Sequence, residues 1–171
     1  MHSFQPLNLD DISLNPFTQI GKDWFALTAG TKEKVNTMTA AWGGLGVMWG
    51  KNVVFVVVRD SRYTKEFIDS SETFSLTFFD MRQKANRQTL QYLGAVSGRN
   101  EDKITSACLN INYHNDTPFI DEGNSVYICR KLFSSPMTKE FMLDADIPSK
   151  WYGDEDYHTL YIGEITDFLA R

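Results

Sequence analysis

The chain contains 171 residues, a length typical of one domain, so we expect residues 1–171 to fold as a single unit. Its net charge of −5 at pH 7 argues against nucleic-acid binding, because proteins that grip a phosphate backbone usually carry a basic excess. The apolar runs are too short to span a bilayer, and no signal peptide is visible at the N-terminus. We therefore expect no membrane partner and, by default, a cytoplasmic location.

Strand-like patterns outnumber helical ones along the chain. The first strand is predicted at residues 24–30 and the next at residues 53–58, a continuous β-branched and aromatic run typical of a strand buried on both faces. Residues 74–79 at first alternate apolar with polar side chains, which predicts a half-buried strand. Two more strands are predicted at residues 126–133 and 160–168.

Helical patterns are fewer and shorter. Residues 61–68 are typical of a short amphipathic helix, for which Ser61 or Thr64 could supply the N-cap oxygen. Residues 82–93 have apolar side chains on one helical face and predict a second helix. The pattern at residues 104–109 is ambiguous between helix and strand.

Three turn-rich stretches, residues 98–103, 114–123 and 144–156, are predicted to be connecting loops. No internal repeat or flexible linker interrupts the chain. Because strands dominate and the helices are short, the sequence predicts one mainly β domain, a barrel with a few short peripheral helices.

Several chemistries are excluded or disfavoured by spacing. Cys108 and Cys129 lie in apolar, strand-like surroundings, which predicts two reduced, buried thiols. No His, Cys, Asp and Glu residues have metal-ligand spacing, so we predict no metal site. The sequence lacks GxSxG, GxxxxGK[ST] and a GxGxxG after a strand, which argues against a serine hydrolase, a P-loop and a Rossmann dinucleotide site.

The densest polar and small-residue patch is 36–46, between two predicted strands. It offers a carboxamide, two hydroxyls and several glycines, which let a ligand approach the backbone closely. Such a stretch can bind a phosphate or the edge of a heterocycle. The alternative is an ordinary glycine-rich connection with Trp42 and Trp49 as core anchors, and composition alone slightly favours that alternative.

A second patch, residues 59–65, combines two arginines, two hydroxyl residues and the start of a predicted helix. A helix N-terminus binds anions through its free N–H groups, and the arginine fork matches phosphate oxygens. The patch therefore favours a phosphate site over its alternative, a capped helix with solvated surface arginines.

Two weaker patches follow. Residues 97–103 form a polar turn in which Arg99 and Lys103 could reach an anionic group, although such a stretch alone is usually only a loop. His158 introduces the last predicted strand, and a lone histidine there is more often a structural residue than a catalytic one.

Taken together and in order, four stretches resemble the motifs of one family. Residues 36–46, 58–64, 97–103 and 156–165 resemble those of the FMN-binding, flavin reductase-like split-barrel proteins, in the branch that includes the flavoredoxins. Each stretch is only moderately specific, but four in order across nearly the whole chain form a much more specific pattern. The first two stretches contribute most to the resemblance.

The resemblance implies a six-stranded split β-barrel that forms a homodimer and holds FMN noncovalently near the dimer interface. By position, it implies that the flavin is lined by Asn36, Thr37, Met38, Thr39 and Trp42. Candidates for the ribityl phosphate or its surroundings are Ser61, Arg62 and Thr64. Second-rank cofactor candidates are Arg59, Tyr63, Arg99, Lys103 and His158. No catalytic residue is implied, because the flavin performs the redox chemistry.

Three functions remain open from the sequence. The first is an NAD(P)H-dependent flavin reductase that passes hydride from nicotinamide to FMN. The second is a flavoredoxin-like electron carrier that accepts electrons from a redox protein partner instead of NAD(P)H. The third is a barrel that has lost flavin binding, which the intact stretches at residues 36–39 and 61–64 make the weakest of the three.

Overall fold

The computed structural model describes residues 3–171 of the chain. The strands of this range are Gln5–Leu7 (β1), Phe25–Gly30 (β2), Val35–Ala40 (β3), Gly43–Met48 (β4), Lys51–Arg59 (β5), Thr73–Phe78 (β6), Ile111–His114 (β7), Thr117–Ile120 (β8), Ser125–Pro136 (β9) and His158–Ala170 (β10). The helices are Pro16–Thr18 (α1), Tyr63–Ser70 (α2), Lys84–Ala95 (α3), Lys103–Ser106 (α4) and Asp146–Trp151 (α5). Short 3-10 or π-helical turns lie at Leu9–Asp11, Gln19–Asp23 and Lys139–Phe141.

Eight strands form one sheet in which every paired neighbour is antiparallel. The order is β3-β2-β6-β9-β10-β5-β4, and β1 also pairs with β10. Within residues 3–171, β3 and β4 end this order, so the sheet is open between them, as the predicted split barrel requires. The sheet has eight strands rather than the implied six, partly because the long β10 pairs with β5 along its first half and with β1 at its end.

The main core fills the inside of this curved sheet. Strand β5 shows why: Val54, Val56 and Val58 are buried inside with Phe25 and Tyr127, as expected for a run of β-branched residues. On the other face of β5, Val53 is fully buried but Phe55 and Val57 are only half-buried, so the prediction of a strand buried on both faces is confirmed in part.

A second apolar cluster lies on the opposite face of β2. Ala26 packs there with Leu90 and Leu93 of α3 and with Ile120 of β8. The predicted helix at residues 82–93 is thus confirmed as α3, shifted by about two residues, and its apolar face covers the sheet. Strand β2 is therefore held between two layers.

The prediction that residues 74–79 form a half-buried strand is wrong. The strand exists as β6, but its polar side chains Ser75 and Thr77 are fully buried. Ser75 Oγ donates to Pro118 O at 2.6 Å, and Ile120 N donates to Thr77 Oγ1 at 3.3 Å. Because β8 covers this face and satisfies both hydroxyls, the polar residues carry no exposed surface.

Two of the three predicted loops contain regular structure. Residues 98–103 do form a connection, but β8 lies within 114–123 and α5 lies within 144–156. Strand β8 forms because Asn115 and Asp116 adopt left-handed backbone angles, with φ of 47° and 62°, and turn the chain back onto β7. The ambiguous residues 104–109 contain most of α4.

The predicted caps of the helix at residues 61–68 are wrong. Helix α2 begins at Tyr63, its N-cap position is Arg62, and no side chain within residues 3–171 caps it. Ser61 lies before the helix, and Thr64 lies inside the first turn, where its hydroxyl accepts from Asn36 instead.

The two cysteines are both free, as predicted, but only one is buried. Cys129 lies in the core of β9, and burial raises the pKa of its thiol. Cys108 is exposed, because it follows α4 in a turn with φ of 54° rather than in a strand.

Across residues 3–171, none of the helices has the length and apolar character needed to cross a membrane.

Candidate functional site

The patch at residues 36–46 belongs to two strands rather than to a loop. Strands β3 and β4 occupy almost all of it, and only Ala41 and Trp42 connect them. Glycine is required at Gly43, where φ is 154° and a Cβ would lie 2.1 Å from the Phe55 carbonyl oxygen. The glycines of this patch thus allow close pairing of β4 with β5, which overturns the prediction of a connection between strands.

Trp42 and Trp49 are not core anchors. Their side chains are 41% and 60% exposed, because both lie in turns at the ends of β4. The Trp42 ring packs edge-to-face on Trp151 with centroids 5.0 Å apart, and it lies 5.1 Å from the ring of His158. Trp42 therefore forms part of an aromatic surface rather than of the core.

A cleft of about 210 Å³ opens at this aromatic surface, and we call it the β3 cleft. The residues predicted for the cofactor that line it are Met38, Thr39, Trp42, Arg59, Arg62 and His158. Its remaining walls are formed by Ala40, Ala41, Val57 and Trp151. The fold thus gathers residues from β3, β5, β10 and the start of α2 at one place.

A second cleft, of about 570 Å³, is lined by Tyr63 and Phe67 of α2, and we call it the α2 cleft. The predicted cofactor residues that line it are Asn36, Tyr63, Arg99 and Lys103. Ser61, Thr37 and Thr64 line neither cleft. The predicted residues are therefore divided between two neighbouring clefts.

Buried hydrogen bonds position β3 against its neighbours. Asn36 Nδ2 donates to Thr64 Oγ1 at 2.9 Å, and both side chains are almost fully buried, so β3 is tied to α2. The Thr37 hydroxyl lies 2.9 Å from that of Thr28 on β2, and Thr39 Oγ1 donates to the carbonyl of α3 at Leu90. These side chains fix the strand whose edge borders the β3 cleft.

Arg59 holds the segment between α5 and β10. Its guanidinium donates to Trp151 O at 2.8 Å and to Asp156 O at 3.0 Å. The Asp156 carboxylate in turn accepts from Ser61 N at 2.9 Å and from Ser61 Oγ at 2.6 Å. Both donors that Ser61 could offer to a phosphate are thus bonded to a carboxylate.

Arg62 and Arg99 provide positive charge between the two clefts. Arg62 is exposed, and within residues 3–171 its guanidinium donates only to Gly94 O, at 3.3 Å. Arg99 donates to Ser61 O at 2.9 Å, pairs with Glu66, and lies 4.9 Å from the centroid of the Tyr63 ring. The first turn of α2 adds N–H groups without a side-chain cap, which favours an anion nearby.

Lys103 has a structural position. Its ammonium is buried and donates to Leu93 O at 2.9 Å and to Val96 O at 3.1 Å, so it satisfies carbonyls at the C-terminal end of α3. Burial lowers the pKa of Lys103 to about 8, and the nearby charge of Arg62 acts in the same direction. Its positive charge is therefore directed at the helix end.

His158 is a buried, neutral side chain at the edge of the β3 cleft. Burial lowers the pKa of His158 to about 4, and the positive charge of Arg59 contributes. Tyr152, directly after α5, has its hydroxyl 2.8 Å from His158 Nδ1. Sequence reasoning did not single out Tyr152 or Trp151, because they lie in a stretch predicted to be a loop, and their aromatic character was the only available signal.

No protein-family model and no curated protein sequence matches this chain. Solved structures do match. A flavoredoxin from Methanosarcina acetivorans superposes with a TM-score of 0.68 at 23% identity, covering 87% of this chain and 68% of the other. An FMN-binding domain of a flavin reductase-like enzyme from Shewanella baltica gives 0.67 at 17% identity, covering 98% and 77%.

A third match is an NADH:FAD oxidoreductase from Streptomyces globisporus, with a TM-score of 0.63 at 13% identity, covering 87% of this chain and 75% of the other. These likenesses confirm the predicted fold: the chain has the mainly β split-barrel architecture of FMN-binding, flavin reductase-like proteins.

Within residues 3–171, no three or more His, Cys, Asp or Glu residues are grouped to hold a metal ion.

Proposed function

We propose that this chain is a flavoprotein that binds FMN noncovalently in the β3 cleft. The observation that carries the proposal is the convergence of six residues, chosen from the sequence alone, on one cleft of this fold. The fold is shared with solved proteins described as FMN-binding.

The β3 cleft fits the requirements of an isoalloxazine ring. Met38 and the indole of Trp42 supply apolar surface. In residues 3–171, β3 pairs only with β2, so the other side of its backbone offers N–H and C=O groups to the polar edge of a heterocycle. A cleft with apolar walls and a few fixed polar groups is the usual form of a cofactor site.

The region between the clefts fits a phosphate. The Arg62 guanidinium is exposed and makes a single long hydrogen bond within the described part of the chain, and the uncapped first turn of α2 follows directly. Phosphate oxygens are well matched by a guanidinium and by free N–H groups. We infer that Arg62 binds the phosphate, with Tyr63 and Arg99 forming the nearer wall of the α2 cleft.

For the reaction, we propose an NAD(P)H-dependent flavin reductase. FMN, when bound, supplies the hydride chemistry itself, so the protein needs no side-chain nucleophile. The residues of this chain would bind and orient the ring, and Trp42 and Trp151 would exclude water from it. The likeness to a protein described as an NADH:FAD oxidoreductase supports this reaction class.

A second candidate is a flavoredoxin-like electron carrier that receives electrons from a redox protein partner. The likeness to a flavoredoxin, at a TM-score of 0.68, favours it. The lack of a GxGxxG motif after a strand is consistent with a donor other than a nicotinamide, although it does not distinguish the two candidates alone.

We also propose a homodimer. Val47 on β4, Trp49 in the turn after it and Phe133 on β9 are exposed, and the ring centroids of Trp49 and Phe133 are 6.4 Å apart. Exposed apolar groups of this kind are typical of association surfaces. Analytical ultracentrifugation of the purified chain tests the proposal, and a monomer at micromolar concentration would contradict it.

One experiment tests FMN binding and the reaction together. The purified protein is loaded with FMN, its visible spectrum is recorded, and NADH and then NADPH are added without oxygen. Prompt bleaching by either nucleotide supports the reductase, whereas a yellow protein that neither reduces supports the carrier. A protein that stays colourless after incubation with FMN would refute both and favour a barrel without flavin.

A further inference from the structure

Tyr152 and His158 form an enclosed pair behind the β3 cleft. Tyr152 is 5% exposed and His158 is 8% exposed. The Tyr152 ring stacks on Tyr157 with centroids 4.8 Å apart, and the Arg59 guanidinium carbon lies 5.5 Å from its centroid. The tyrosine is therefore packed from two sides, and its hydroxyl reaches His158 Nδ1 at 2.8 Å.

The other hydrogen-bond partners available to each atom decide which of the two atoms donates. Within residues 3–171, the Tyr152 hydroxyl has no partner besides His158. If Nδ1 donated the hydrogen, the buried phenol hydrogen would have no acceptor, which costs free energy. If the phenol donates, both atoms are satisfied and the imidazole carries its hydrogen on Nε2.

The second ring nitrogen of His158 is available to the cleft. His158 lines the β3 cleft, and its ring lies beside Trp42 at 5.1 Å with an angle of 36° between the planes. Nε2 forms no hydrogen bond within residues 3–171, and it is not among the buried atoms that lack a partner. An accessible N–H group therefore borders the site proposed for the flavin.

We propose that Tyr152 is a positioning residue that holds His158 as a neutral Nε2–H donor, which gives one hydrogen bond to an acceptor atom of the flavin ring. This inference rests on the proposed FMN site. Arg59 and Arg62 face His158 and disfavour its protonation, whereas Asp156 and Asp60 favour it, and burial outweighs the carboxylates. With its pKa lowered to about 4, the imidazole is thus neutral at pH 7.

The first test needs no flavin. Long-range ¹⁵N–¹H correlation spectra of the FMN-free protein at pH 7 report which imidazole nitrogen carries the hydrogen. We expect the Nε2–H form for His158 in the wild type and a mixture of both tautomers in Tyr152→Phe. Tyr157→Phe is the matched control, since its hydroxyl makes no side-chain hydrogen bond in residues 3–171, and it should retain the wild-type spectrum.

The second test measures FMN affinity by quenching of flavin fluorescence. Loss of one hydrogen bond is expected to weaken binding about 2- to 10-fold in Tyr152→Phe and in His158→Leu, with His158→Gln restoring part of the loss through its amide donor. Tyr157→Phe should bind as the wild type does. His158→Leu and His158→Gln keep the test valid if Tyr152→Phe fails to fold.

The outcomes separate this inference from the proposed function. An Nδ1–H histidine in the wild type would overturn the inference even if FMN binds tightly. Unchanged FMN affinity in Tyr152→Phe and His158→Leu would overturn it as well. A wild type that shows the Nε2–H form but binds no FMN would refute the proposed function and the donor role, while leaving the tautomer assignment supported.

Discussion

The three arginines around the start of α2 differ in the partners that they already have. Arg59 donates to two backbone carbonyls, and Arg99 donates to Ser61 O and pairs with Glu66. Among the described residues 3–171, the Arg62 guanidinium has a single hydrogen bond, at 3.3 Å, to Gly94 O. Because a committed guanidinium must give up bonds to bind an anion, Arg62 is the arginine of this group best able to take a phosphate.

This difference predicts a phosphate-selective effect of Arg62→Gln. We expect FMN binding to weaken roughly tenfold or more, the usual effect of losing a hydrogen bond between charged groups, while riboflavin binding stays unchanged. Titration of both ligands by fluorescence measures the effect. Arg82→Gln, which removes an exposed arginine paired with Asp80, is the control. An equal loss for riboflavin would contradict the phosphate role.

His158 makes the stability of the fold depend on pH. Its pKa falls from an ordinary 6.5 to about 4 on folding, mainly through burial. Between these values the unfolded chain binds more protons than the folded chain, so stability decreases as the pH falls from about 6.5 to about 4. A shift of this size corresponds to at most about 3 kcal/mol.

Urea unfolding at pH 7 and pH 4.5 tests this dependence. The wild type should lose more unfolding free energy between the two values than His158→Gln, because glutamine does not titrate. The carboxylates of the chain titrate in both proteins, so the difference between them isolates the histidine. Parallel losses in the two proteins would show that His158 is protonated as readily in the folded state as in the unfolded state.

For single residues, the sequence indicated which side chains have the chemistry to bind a ligand, but it did not indicate which hydrogen-bond partners they have in the fold. Arg62 and His158, both cofactor candidates from the sequence, line the same cleft. Asp156 bonds both donors of Ser61, which no pattern near Ser61 indicates, because the two residues meet only when β10 pairs with β5. Tyr152 has no distinguishing spacing and becomes notable only through its contact with His158.

The turn between β4 and β5 contains local strain. Met48 pairs with Lys51, so Trp49 and Gly50 form a two-residue turn with φ of 55° and 69°. Both angles are left-handed, which suits Asn-Gly in such turns and disfavours a bulky aromatic residue. Trp49 is 60% exposed, so little burial offsets this strain.

We therefore expect Trp49→Asn to raise the free energy of unfolding by about 1 kcal/mol, the usual cost of a left-handed side chain. Because Trp49 also lies on the surface proposed for the homodimer, urea unfolding at several protein concentrations measures this change and separates it from a loss of association. Trp49→Phe keeps both the strain and an aromatic ring, so it should differ little from the wild type. A less stable Trp49→Asn would show that the contact with Phe133 outweighs the backbone strain.

Among the elements, strands with strong β-branched or alternating patterns were predicted, and those whose structure depends on pairing were not. The strand at residues 53–58 could be predicted without information on tertiary contacts. The glycines at 43–46 suggested a loop, yet they form β4 because β5 pairs closely alongside. The stretch at 117–120 also looked like a loop, since it becomes a strand only through pairing with β7.

On the scale of the whole molecule, the candidate site lies where the sheet is open. Strands β3 and β4 end the sheet order, and the connection between them carries Trp42 into the β3 cleft. The net charge of −5 disfavours an anionic ligand in general, so the arginines beside α2 must provide a local positive region. A ligand held there would bridge β3, β5, α2 and β10, elements distant in the sequence.

Bridging of this kind predicts that FMN stabilises the entire fold. A ligand present at 100 times its dissociation constant adds about 2.7 kcal/mol to the free energy of unfolding. For a chain of this size, that corresponds to a rise in the melting temperature of roughly 5–10 °C. Thermal unfolding followed by circular dichroism with increasing FMN measures the rise.

Two comparisons identify the cause of such a rise. In Arg62→Gln, the same rise in melting temperature should require at least about ten times more FMN. Arg82→Gln should behave as the wild type does. If the chain is a dimer, the melting temperature also rises with protein concentration at fixed FMN, because association stabilises the folded state by mass action. A melting temperature that does not move at millimolar FMN would show that the open end of the sheet does not hold the flavin.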